Sequence, residues 1–144
     1  MKIETAVPGQ FARLVAIWES SVRATHHFLQ ERDIAALRPL LLNAYLPHLK
    51  VVIARDETGA IHGFLGVDDN RIEMLFVDDV SRGKGVGKLL LNYAVDCFGA
   101  NEVDVNEQNP QAVAFYQHVG FVQVGRSERD GQGNPFPLLH MRLG

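Results

Sequence analysis

The chain of 144 residues is short of most things that would mark a specialised class. It has one cysteine, Cys97, which excludes an intramolecular disulfide and a multi-cysteine zinc site. No apolar run approaches the ~20 residues of a membrane span, and Met1 to Thr5 has no signal-peptide shape, so the cytoplasm is the default expectation. Charge of either sign is not in excess: 14 Lys and Arg stand against 17 Asp and Glu, for a net charge of −3. That balance argues against nucleic acid as the main partner, because a phosphate backbone needs a basic face. There is no internal repeat, linker or low-complexity tract. The length suits a single domain over residues 1–144, and a hydrophobic content of 47% is ordinary for a globular protein.

Periodicity gives an alternation of elements. Lys2 to Val7 reads as a short edge strand and Phe11 to Val22 as a helix, with Ala24 to Leu29 breaking that pattern. Ile34 to Leu46 is a second helical stretch, kinked or started near Pro39 and ended by Pro47. Val51 to Ala54 and Ile61 to Val67 flank the turn Asp56 to Gly59 as a hairpin, and Arg71 to Val77 follows as another strand. A helix runs from about Gly85 to Phe98, with Cys97 on its apolar face, and Val103 to Asn106 is a strand. Asn109-Pro110 opens a helix ending at Gly120, and Phe121 to Gly125 is a strand. The loop Gly131 to Pro135 leads into a last strand from Phe136 to Leu143. The order β-α-α-β-β-β-α-β-α-β-β predicts an α/β (α+β) mixed sheet with helices on it.

The strongest local signal is Arg82-Gly83-Lys84-Gly85-Val86-Gly87-Lys88, placed after the apolar run Met74 to Val77 and at the start of a helix. Glycines let a backbone come close to a ligand, and the free N–H groups and dipole at a helix start favour an anion. A Walker A loop is excluded, because Leu89 follows Gly87-Lys88 where a hydroxyl is required and Arg82 occupies the first glycine position. A dinucleotide fingerprint is excluded by the two-and-two spacing of Gly83, Gly85 and Gly87.

The string Arg-x-x-Gly-x-Gly resembles the coenzyme A pyrophosphate loop of the GNAT superfamily of N-acetyltransferases. The downstream string from Asn106 through Asn109, Ala112, Phe115 and Tyr116 to Gly120-Phe121 is similar to that family's second signature. Thr25-His26-His27-Phe28-Leu29 resembles the small stand-alone bacterial members. The resemblance implies a GNAT fold: a mostly antiparallel, splayed sheet of about seven strands with about four helices. It implies an acetyl-CoA-dependent N-acetyltransferase that moves an acetyl group to a primary amine by direct attack through a tetrahedral intermediate, without metal. The alternative within the same fold is an acyl-CoA-binding sensor that is catalytically weak.

By the same resemblance, the backbone of Gly83, Lys84, Gly85, Val86, Gly87 and Lys88 binds the pyrophosphate, with charge from Arg82 and Lys84. Asn106 and Asn109 lie near the pantetheine, and a backbone N–H among Leu75, Phe76 and Val77 polarises the thioester. Tyr116 is the candidate general acid, a phenol with pKa near ~10 facing a thiolate of similar basicity, while Phe115 fills the core beside it. Glu73 is one candidate base, sharing a strand face with Arg71, Leu75 and Val77, and a salt bridge to Arg71 is its structural alternative. His26 and His27 are the rival, and His118 and His140 read as surface or structural. The expected acceptor is a small-molecule or protein amine. The expected assembly is a monomer or homodimer, with Phe136 to Leu143 as the segment that pairs between subunits. The acceptor itself is not named by the sequence.

Overall fold

A computed structural model of the chain describes residues 1–131 and 133–144. The strands are β1 (Lys2–Thr5), β2 (Lys50–Arg55), β3 (Ile61–Asp68), β4 (Arg71–Val77), β5 (Glu102–Asn106), β6 (Phe121–Ser127) and β7 (Leu138–Leu143). The helices are α1 (Phe11–Thr25), α2 (Glu31–Leu40), α3 (Val86–Phe98) and α4 (Pro110–Val119). The sheet runs β1-β2-β3-β4-β5-β7-β6, and every neighbouring pair is antiparallel except β4–β5. The expected mixed sheet and element order are present.

Two hydrophobic layers sandwich this sheet. Val51, Ile53, Phe64 and Met74 face α1 and α2, where Leu14, Ile17, Trp18 and Ile34 pack. Val52, Leu65, Val67 and Ile72 face the other layer with Leu90, Leu91 and Tyr116. Strands β2 and β3 are therefore buried on both faces, which is why Val51 to Ala54 shows no polar alternation.

Helix α1 runs on through Ala24 and Thr25, past the expected break. Helix α2 starts at Glu31, three residues before the apolar period begins, because Asp33 accepts from the Gln30 N–H (2.8 Å) and caps it. Pro39 does not end the helix. It removes one donor, and the chain continues as a wide π turn over Leu41–Tyr45 and a 3-10 turn over Leu46–His48, held by buried Leu41 and Leu46. Of the expected loop 131–135, Gln132 lies outside the described residues.

Strand β4 departs from strict alternation. It pairs with β3 as Gly66↔Met74 and then Val67↔Ile72, so Glu73 has no partner and forms a bulge. Beyond a bulge the faces exchange: Ile72, not Glu73, joins Leu75 and Val77 in one layer, while Met74 and Phe76 face the other. The parallel contact with β5 then consists of Arg71↔Glu102 and Ile72↔Val103 only. Past Ile72 the two strands diverge, and the sheet opens as a fork.

Strand β7 pairs with β5 on one side and β6 on the other, so the segment expected to pair between subunits has no free edge. The edge strands are β1 and β6, and on β6 Val122 and Val124 are exposed. Among the described residues, no helix is long and apolar enough to cross a membrane.

Helices α1 and α2 are clamped by Glu19, which accepts from Arg38 on α2 and from Arg23 one turn along α1 (3.0 Å). The Arg38 bond, opposed by burial and assisted by Arg23, brings the Glu19 carboxyl from 4.5 to about 2. A carboxyl lowered by folding stabilises the fold fully above 4.5 and loses that contribution as pH falls towards 2. Glu19→Gln should therefore flatten the acid limb of stability in that window, read from urea midpoints at stepped pH; an unchanged limb would remove the clamp from the account.

Candidate active site

The glycine-rich turn is anchored before it begins. The Asp78 carboxylate accepts from Arg13 (2.8 Å) and Ser20 (3.0 Å), both on α1, and the Asp79 N–H donates to the Ser20 hydroxyl (3.2 Å). Ser81 is buried, with its hydroxyl 2.7 Å from His62 Nδ1, while His62 Nε2 lies 2.6 Å from Asp56. Beyond this base the backbone is free. Ser81 and Arg82 donate to Asp78 and Asp79, and the next backbone bond is from Leu89 to Gly85 (3.0 Å). Among the described residues, the N–H groups from Gly83 to Lys88 have no backbone acceptor.

Gly83 and Gly85 both have φ of +79°, a conformation that disfavours side chains, and a Cβ at either would project into open space. The turn is a cradle of donors at the positive end of α3, and its shape and donor set fit a pyrophosphate. Lys84 and Lys88 are exposed. Arg82 is tied down locally, donating to Gln111 and lying 3.6 Å from Asp79.

A cavity of about 300 Å³ fills the fork between β4 and β5. Its walls include Glu73, Leu75, Phe76 and Val77 from β4, Asn106 at the end of β5, and Asn109, Phe115 and Tyr116 from α4 and its cap. Arg82 and Gly87 connect it to the turn. Asn109 is buried and caps α4, accepting from the Ala112 N–H (3.2 Å).

Tyr116, at 7% exposure, belongs to the core and meets Phe115 and Phe121 edge-on. The expected division of labour is reversed: Phe115 is half-buried and Tyr116 is the more enclosed ring. No described group hydrogen-bonds the Tyr116 hydroxyl, and no buried polar side-chain atom among the described residues lacks a partner, so that hydroxyl emerges at the cleft surface. Burial pushes the phenol above its ordinary 10.0, keeping its proton on at neutral pH.

Glu73 sits on the bulge, facing the cleft. Desolvation raises its carboxyl, against the pull of Arg71, and the Asp104 and Asp68 charges add to the rise. It has no salt bridge to Arg71, which instead approaches Asp104 (3.6 Å) and Glu102 (3.7 Å).

His26 stands against Phe28 and Phe76, and burial, then the neighbouring His27, lower its pKa to about 4. It borders the first cavity and a second of about 350 Å³, whose walls include Trp18, Phe28, Leu37 and Phe136 with the carboxylates of Asp33 and Asp130. His26, Phe76 and Asn106 belong to both. His27 is exposed and borders neither.

Cys97, expected in the core, is exposed and absent from both cavities. It lies in the last turn of α3, beyond Ala94, the last of the helix's buried residues Val86, Leu90, Leu91 and Ala94. His140 is structural: its Nδ1 lies 2.6 Å from Asp104 and its Nε2 2.6 Å from Ser127, tying β5, β7 and β6 together. Asp78, Ser81 and His62 escaped the sequence reading. Asp78 and Ser81 stand directly upstream of the glycines, a position that could have flagged them, whereas His62 carries no local signal.

Comparison with known proteins bears on this geometry. The family model described as an acetyltransferase (GNAT) domain matches residues 22–143. The peptidyl-lysine N-acetyltransferase YjaB of Salmonella typhimurium is 40% identical over 129 residues, 90% of this chain and 88% of that protein. YjaB of Escherichia coli K12 is 41% identical over 128 residues, 89% and 86% of the two chains. The solution structure of apo-form YjaB from Escherichia coli matches with a TM-score of 0.90 at 38% identity, covering 99% of this chain and 96% of that one. The PaiA N-acetyltransferase from Thermoplasma acidophilum in complex with coenzyme A shares the fold, with a TM-score of 0.73 at 20% identity over the whole of both chains.

The capping role of Asn109 has a separable cost. Asn109→Ala should lower unfolding free energy by about 1 kcal/mol, whereas Asn109→Asp, which keeps an acceptor at the cap, should cost less. Denaturant unfolding of both variants checks the difference, and equal losses would contradict the cap.

Proposed function

Because the chain belongs to the GNAT acetyltransferase family, we propose that residues 1–144 form a single acetyl-CoA-dependent N-acetyltransferase domain acting on the amine of a lysine side chain. The observation that carries the cofactor half is the run of N–H groups from Gly83 to Lys88 with no backbone acceptor among the described residues, opening directly into a forked sheet. Coenzyme A bound by the PaiA fold neighbour is consistent with it. Acetyl-CoA supplies an acyl group as a thioester open to direct attack by an amine.

In this reading the turn amides hold the pyrophosphate. The unpaired flank of β4 over Leu75, Phe76 and Val77 pairs with the pantetheine as a strand would, and one of its N–H groups faces the thioester oxygen. Asn106 and Asn109 border the pantetheine path, Arg82 orients Gln111 beside it, and Lys84 and Lys88 add long-range attraction for phosphate. Tyr116 Oη holds the proton delivered to the departing sulfur; burial raises the phenol above the match with a thiolate, so the transfer is driven by the negative charge that develops on the sulfur beside it. No acyl-enzyme is needed, and exposed Cys97 lies away from the cleft.

The second cavity supports a long amine with an apolar stem. Its aromatic and aliphatic walls fit methylenes, and the Asp33 and Asp130 carboxylates favour a cation on entry. The relatives' peptidyl-lysine activity is the reason for choosing lysine over other amines. The two base candidates divide the work. His26, neutral and at the junction of the cavities, accepts a hydrogen bond from the amine, whereas Glu73, exposed on the cleft wall, takes the proton through water.

Release of free thiol from acetyl-CoA in the presence of a lysine peptide tests the whole reading; binding of CoA with no thiol release across an amine panel would contradict it. Tyr116→Phe should reduce kcat by about 10²-fold with CoA affinity nearly unchanged, and full activity in that variant would remove the phenol from the reaction. Gly85→Glu, which fills the cradle and adds negative charge at φ +79°, should abolish CoA binding by calorimetry; retained affinity would make the turn merely structural.

A further inference from the structure

The polar groups around His26 leave one arrangement of its ring proton. Thr25 donates its hydroxyl to the Ser21 carbonyl (2.8 Å), so towards His26 its oxygen is an acceptor, and it lies 2.8 Å from Nδ1. With the hydroxyl so placed, Nδ1 carries the hydrogen. At the other edge of the ring, Asn109 is oriented by its cap: Oδ1 accepts from the Ala112 N–H, which turns the amide NH2 towards His26 Nε2 at 3.4 Å. An amide NH2 only donates, so Nε2 carries the lone pair. The opposite tautomer would set Nε2–H against the Asn109 NH2, and turning the amide over would set it against the Ala112 N–H. Two elements far apart in sequence, the end of α1 and the cap of α4, thus require the same tautomer.

We propose that Thr25 and Asn109 are positioning residues that hold His26 as the Nδ1–H tautomer, its Nε2 lone pair turned to the junction of the two cavities to receive the acceptor N–H. The receiving role rests on the N-acetyltransferase reading; the tautomer does not. At 3.4 Å the Asn109 contact is at the outer limit of a hydrogen bond, so an arriving amine N–H displaces it readily. Burial keeps the ring neutral at physiological pH, and the lone pair is available throughout. The same chain joins the connection after α1 to the cap of the helix that carries Tyr116, so the acceptor side and the proton donor are set in one frame.

Long-range ¹H–¹⁵N correlation of the histidine ring in the full chain tests this directly. The wild-type protein should show His26 with Nδ1 protonated and Nε2 bare. Thr25→Val keeps the shape and removes the acceptor, so it should shift His26 towards the Nε2–H form and lower kcat about 10-fold with little change in KM, while Thr25→Ser restores both. A wild-type ring protonated on Nε2 overturns the proposal, and that spectrum decides even if Thr25→Val does not fold. An unchanged tautomer in folded Thr25→Val overturns it as well. A switched tautomer with unchanged kcat overturns the receiving role. Failure of the enzymatic reading has a different signature: a wild-type protein with the expected tautomer that releases no thiol with any amine.

Discussion

Parallel pairing between β4 and β5 stops after two residue pairs, and a sheet that opens in its middle must be kept open by contacts other than strand hydrogen bonds. The bulge at Glu73 starts the divergence by putting an unpaired residue where the next rung would form. Arg71, reaching Glu102 and Asp104, pins the closed end of the fork. At the open end, Asn109, Phe115 and Tyr116 line the space that a continuing ladder would have used. Buried backbone groups without partners are costly, so the unpaired flank of β4 gains most from a ligand that brings amides of its own.

Helix α1 gives the two halves of the cleft a common reference. Through Arg13 and Ser20 it fixes Asp78, from which the glycine-rich turn departs. Through Thr25 it sets His26 at the boundary with the second cavity. The Glu19 clamp holds α2 against it, and α2 contributes Asp33 and Leu37 to the wall of the second cavity. The glycine-rich turn and the second cavity are therefore registered on one element, which in the proposed reading brings two substrates to a fixed distance.

Much of this was legible in the sequence because it is local. The glycine spacing after an apolar strand, the Asn109-Pro110 cap and the order of elements follow from short-range chemistry, and the structure has them where the pattern puts them. What was not legible depends on contacts between distant segments. Alternation along β4 misassigned Glu73, because a bulge is a property of the pairing with β3 and not of the strand itself. The Phe115–Tyr116 pair was misjudged because a rotation of one residue on a helix decides which side chain is enclosed, and Cys97 because the buried stripe of α3 ends at Ala94, one turn before it. Pairing between subunits was expected of Phe136 to Leu143, since nothing in the chain announces that β7 inserts between β5 and β6. The role of His62 comes from Ser81 on another element, and that of His26 from its meeting with the Asn109 cap of α4; neither is signalled by residue type alone.

The central claim is that the donor cradle and the open fork are two parts of one coenzyme A site. An amide NMR titration of the full chain with coenzyme A tests it most directly. The account predicts that the amides of Gly83 to Lys88 and of Leu75 to Val77 move together along one saturation curve, while those of the far edge strand β1 stay in place. Coenzyme A that leaves the turn unmoved, or moves it without the β4 amides, would contradict the account.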